Sequence, residues 1–241
     1  MREESAPAGR AEAPKGWKAK SNAWTDLGLT VPVFLGYHLG VVTLDVRNAA
    51  DWVTAELTGL AQNNLMLYWG LTLVIGLTLV GVLALLGRGQ VFEPWRFGLV
   101  AAEGALYAVL MGAAAAYVVG TLPLGGGDSV GFGAGVVMSL GAGLYEEIAF
   151  RVGLFGLPAL LIRLWFGPLR RWLVTAIWAV IAAAVFSAWH YVGPLGDAFE
   201  LRSFVFRWVC GVAFTAIYVV RGFAPAVWTH ALYDIWVLAL R

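Results

Sequence analysis

The chain has 241 residues, 60% of them hydrophobic and 13% charged, with mean hydropathy +0.76 and a formal net charge of +1. Soluble domains carry about 25% charged residues, so the composition excludes an ordinary water-soluble domain and points to a multi-pass membrane protein. The charge balance gives no sign of a nucleic-acid partner, and a single cysteine, Cys210, excludes an internal disulfide or a thiolate metal cluster.

Residues 1–26 are rich in Ala, Pro, Gly, Glu, Lys and Arg and are read as a disordered cytoplasmic tail, without the cleavage site of a signal peptide. Residues 27–241 are read as a single transmembrane helical domain. About 20 apolar residues are needed to cross the hydrocarbon core. Seven segments are candidates, at 27–44, 65–86, 98–122, 130–156, 172–192, 203–221 and 223–240. The fold expected is therefore all-α, a polytopic membrane helix bundle of about seven transmembrane helices with a polar intramembrane cavity.

The first segment carries Pro32 and His38 and a polar flank. Between the first two lies NAADWVTAELTGLAQNN, where Trp52, Val53, Leu57 and Leu60 form the apolar stripe expected of a short helix at the interface. Gly36 and Gly40 make a GxxxG, and five glycines between Gly131 and Gly143 favour close helix packing in the fourth segment. Placing the N-terminus inside puts eleven basic residues on that side. Only Arg47, Arg202, Arg207 and Arg241 fall on the other, as the positive-inside rule requires.

Ionisable residues within spans face the bundle interior and mark function. The fourth segment carries Glu146, Glu147 and Arg151 in LYEEIAFR. The fifth ends on His190 in FSAWH, and the seventh holds His230 and Asp234 in HALYD. Glu103 and His38 stand alone on the third and first. Glu147 and Arg151 are spaced i,i+4 and can pair on one helical face. Glu146 is turned about 100° away on an α-helix, which leaves it free for chemistry. His230 and Asp234 have the same i,i+4 relation, so Asp234 can orient the imidazole or share its ligand. Phe186 lies four residues before His190 and can wall the site. A rise of 1.5 Å per residue puts His190 at the outer end of its span, His230 near the middle of the seventh and Glu146 in the inner half of the fourth. Convergence therefore requires a tilt, a kink or a displaced span start.

EEIAFR fits EExxxR, FSAWH fits FxxxH, and HALYD fits HxxxN or HxxxD, in that order. Over residues 130–240, the expected catalytic core, the chain resembles the CAAX-protease and bacteriocin-processing family of glutamic-type intramembrane proteases, which includes the endopeptidase of prenylated proteins. The resemblance implies that Glu146 activates a water with His190, that His230 and Asp234 stabilise the oxyanion, and that Glu147 and Arg151 complete the first motif. It implies no cofactor and a membrane-associated or lipidated protein or peptide as substrate. Where asparagine could stand the chain has Asp234, and an ionised carboxylate would repel an oxyanion. Asp234 is then protonated, orients His230 or binds a cation.

Glu146, His190, His230 and Asp234 are also the residue types of a zinc site, which is the alternative mechanism. HExxH and a rhomboid-type GxSG serine are absent. GGGD at Gly125–Asp128 with Tyr233–Asp234 has the two halves of an aspartyl intramembrane protease in reversed order. A transporter using the same residues as a proton relay, or a non-catalytic partner retaining the motifs, are the rivals from other classes. All three lysines lie at Lys15, Lys18 and Lys20, so no helix offers a retinal Schiff base. Heavy use of Ala, Gly, Val and Arg suggests a GC-rich bacterial genome, and hence the bacterial inner membrane. Substrate identity and oligomeric state have no signature in the sequence.

Overall fold

The computed structural model describes residues 20–44, 46–61, 64–86, 88–120, 131–193 and 196–240. The tail up to residue 19 and the GGGD stretch lie outside the described residues. All secondary structure among the described residues is helical: α1 (Ala23–Gly28), α2 (Val31–Leu44), α3 (Trp52–Leu60), α4 (Leu65–Leu86), α5 (Arg96–Val119) and α6 (Phe132–Gly141). A π-helical segment, Ala142–Gly156, then leads into α7 (Leu157–Trp165), followed by α8 (Pro168–Trp189), α9 (Leu201–Arg221), α10 (Phe223–Asp234) and a last π turn, Ile235–Ala239.

The protein is a polytopic helical membrane protein. Among the described residues five stretches are long and apolar enough to cross a membrane: Ala23–Leu44, Arg96–Val119, Phe132–Trp165, Arg170–Trp189 and Leu201–Arg221. Among the described residues all seven predicted segments contain helix, and five of them meet that criterion. In the second, only Leu65–Thr78 qualifies as a shorter apolar helix. The seventh departs for a different reason. α10 is twelve residues long and runs through the interior, with Ala224, Ala226 and Val227 wholly buried. It packs on α5, α6, α9 and the π-helical segment.

Glycine and alanine make that central position sterically feasible. A Cβ on Gly143 would collide with Ala231 and the Val227 carbonyl of α10, so the fourth rod approaches α10 at backbone distance. The GxxxG of α2 serves the same purpose, with Gly40 against Val137 and Gly36 against Leu140 of α6.

The predicted tail ends too late. α1 begins at Ala23, capped by Asn22, whose side chain accepts from the Thr25 N–H at 2.8 Å. Asp26 is buried and accepts from the N–H groups of Phe223 at 2.6 Å and Ala224 at 3.1 Å. It thereby caps α10 from 197 residues away and sits at the positive end of that helix's dipole. Gly222, at φ +118°, makes the turn into α10 and lies where any side chain would strike Asp26. Asp26→Ala is expected to cost about 1–2 kcal/mol, read as a lower thermal unfolding midpoint in detergent; an unchanged midpoint would contradict the capping role.

The predicted interfacial helix is present as α3, capped by Asp51 on the Thr54 N–H at 2.8 Å. Its stripe divides, however. Leu57 faces the interior, whereas Trp52, Val53 and Leu60 are exposed.

Candidate active site

The largest departure in the fourth rod is its length. The predicted span stops at 156, before Pro158, but the helix continues to Trp165 with that proline in the first turn of α7, where a missing N–H is tolerated. Glu146 therefore lies nearer the Phe132 end of the rod than the Trp165 end. That shift removes the depth conflict, because His190 caps the C-terminus of α8 at the same end of the bundle.

Glu146, His190, His230 and Asp234 converge. Oε2 of Glu146 stands 3.9 Å from Nε2 of His190 and 3.8 Å from Nε2 of His230, and Nε2 of His230 is 3.5 Å from Oδ2 of Asp234. The opposite nitrogens of both rings are tied. Nδ1 of His190 donates to the Phe186 carbonyl at 3.0 Å, one helical turn back. Nδ1 of His230 donates to Oε1 of Glu147 at 2.7 Å. These bonds set both rings so that each Nε2 faces the same carboxylate oxygen.

Glu147 and Arg151 pair as the spacing predicts, Nε to Oε2 at 3.1 Å, with the two side chains 0% and 1% exposed. The guanidinium lies over the rings of Phe186, 4.2 Å from the centroid, and Phe214, 4.9 Å. Glu147 thus bridges Arg151 and His230 and does more than cancel a charge. Phe186 lies against both histidines, its ring 5.1 Å from His190 and 6.0 Å from His230.

Two contributors escape sequence reading. Phe214 of α9 stacks on His230 at 4.4 Å and 21°; one aromatic in an apolar span carries no distinguishing signal. Asn48, between α2 and α3, donates from Nδ2 to Oε1 of Glu146 at 3.2 Å. Its signal was a polar residue in a segment otherwise read as interfacial.

The two residues predicted to stand alone have partners. His38 lies between the hydroxyls of Tyr68, 3.1 Å from Nδ1, and Tyr145, 2.9 Å from Nε2. Glu103 receives Arg221 on both oxygens, at 2.6 and 3.2 Å. The small cavity beside that pair, lined by Ser21, Leu29, Arg96 and Pro225 among others, is built from different residues than the Glu146 cluster. Among the described residues no three His, Cys, Asp or Glu side chains form a metal-holding group.

A buried glutamate between two histidines, beside an arginine-paired second glutamate, is the kind of intramembrane ionisable cluster that marks a functional site. Residues 129–236 match the family described as Type II CAAX prenyl endopeptidase Rce1-like, and that match supports the likeness of this segment to the CAAX-protease and bacteriocin-processing family. No curated protein and no solved structure matches the chain.

Proposed function

We propose that the protein is a glutamic-type intramembrane endopeptidase that cleaves a peptide bond in a prenylated or otherwise lipidated, membrane-associated protein or peptide. One observation carries the mechanism: Oε2 of Glu146 is buried, has no hydrogen-bond partner among the described residues, and faces the Nε2 atoms of His190 and His230 at 3.9 and 3.8 Å. Such separations are too long for direct hydrogen bonds and suit one shared water.

In the proposed step Glu146 takes a proton from that water while its oxygen bonds to the scissile carbonyl carbon. With Nδ1 bound to Phe186, neutral His190 offers Nε2 as an acceptor and holds the second water proton. The carbonyl π pair moves to oxygen, and His230 donates its Nε2–H to the oxyanion. The C–N bond then breaks, and the amine leaves with the proton that Glu146 received. Glu147 and Asp234 flank His230 from both sides and favour the imidazolium. On this reading Asp234 holds the cation that meets the oxyanion and does not itself contact it, which accommodates an aspartate where an amide could stand.

The excess of basic residues on one side supports an N-terminus in the cytoplasm, and composition supports a bacterial inner membrane. The reaction is proposed to need no metal. Exhaustive chelation of purified protein is expected to leave the cleavage rate unchanged, with no stoichiometric zinc by elemental analysis; loss of rate with zinc-specific rescue would establish the zinc mechanism on the same residues. Proton-coupled transport in proteoliposomes without any peptide cleavage would instead favour the relay reading.

A further inference from the structure

We propose that Asn48 is a positioning residue for Glu146, delivered by the segment between α2 and α3 and therefore from outside the matched residues 129–236. The proposal rests on the reading of Glu146 as the base. Asn48 is 8% exposed. Its Oδ1 accepts from the Ala50 N–H at 2.8 Å, which fixes the amide orientation and turns Nδ2 toward Oε1 of Glu146. Its own N–H donates to the Tyr37 hydroxyl at 3.1 Å. That hydroxyl in turn donates to Oδ2 of Asp51 at 2.7 Å, and Oδ1 of Asp51 caps α3. The donors run one way: turning the amide over breaks the Ala50 turn, and the Tyr37 and Asp51 bonds hold the backbone that carries it.

The consequence falls on the carboxylate. Glu146 ends in a freely rotating group whose two oxygens are chemically equivalent. Asn48 occupies Oε1, which leaves Oε2 as the oxygen aimed at His190 of α8 and His230 of α10, with Asp234 behind His230 and Arg151 acting electrostatically from the same rod. A displacement of about 1 Å in such a group can cost about a hundredfold in rate.

The test uses the full-length protein in lipid nanodiscs with a lipidated peptide. Asn48→Asp keeps the shape and the turn-forming oxygen but replaces the donor with a second carboxylate. It is expected to lower kcat about a hundredfold with KM within about twofold of wild type. Asn48→Ala gives a reading independent of turnover: the carboxylate stretch of Glu146, isolated as the infrared difference from a Glu146→Gln background, is expected to shift. An unmoved band in Asn48→Ala, or wild-type kcat in Asn48→Asp, with Glu146→Gln inactive, overturns this proposal alone. Wild-type cleavage by Glu146→Gln overturns the base reading and this proposal together.

Discussion

Glu146→Gln is expected to reduce peptide-bond cleavage about a thousandfold, the scale of a lost general base. The substitution is nearly isosteric and its amide oxygen can still accept from Asn48, which binds Oε1 of the native carboxylate at 3.2 Å. Neither can a carboxamide take a proton from water near neutral pH. Folding should change little, because Oε2 makes no hydrogen bond among the described residues and its loss strands no partner. The measurement is single-turnover cleavage of a lipidated peptide in proteoliposomes, followed by mass spectrometry of both product termini. Equal rates for the two proteins would remove the mechanism in which Glu146 is the base.

Glu147→Leu is expected to act on stability and activity together. It leaves Arg151, 1% exposed and held between two phenylalanine rings, without its carboxylate. An uncompensated buried charge costs about 3–5 kcal/mol. It also removes the acceptor of the His230 Nδ1 proton, so the ring loses the bond that aims Nε2. The double variant Glu147→Leu with Arg151→Met separates the two effects. With no charge left to strand, thermal stability should return most of the way to wild type. Cleavage should not return, because His230 remains unanchored. Recovery of both would reduce Glu147 to an ion-pair partner.

Local relations in the site were legible because one helical turn is a reliable ruler. Glu147 with Arg151, His230 with Asp234 and Phe186 with His190 were each derivable from spacing, and each pair is in contact. Convergence of three rods was not derivable that way: it came from the resemblance, and straight-rod arithmetic argued against it. The arithmetic failed at the end of the fourth segment, placed at 156, because the helix runs on through Pro158, and a proline in a helix's first turn interrupts little. Asn48 was invisible for a different reason. It lies 98 residues before Glu146, and no periodicity links a turn between two helices to a carboxylate on another rod. Burial of α10 was hidden too, because hydropathy reports how apolar a segment is and not whether lipid or protein surrounds it.

The winding of residues 142–156 has a consequence for anyone transplanting the motif. A π-helix closes its hydrogen bonds over five residues instead of four, so consecutive side chains diverge by less than on an α-helix. Glu146 and Glu147 are neighbours in sequence, yet one faces Nε2 and the other Nδ1 of the same imidazole. An engineered scaffold displaying EEIAFR on an ideal α-helix would recover the Glu147–Arg151 pair, which needs only i,i+4 spacing. It would splay the two carboxylates apart and lose their shared hold on one ring. The six letters are therefore not a portable cassette, and the helical pitch beneath them has to be copied as well.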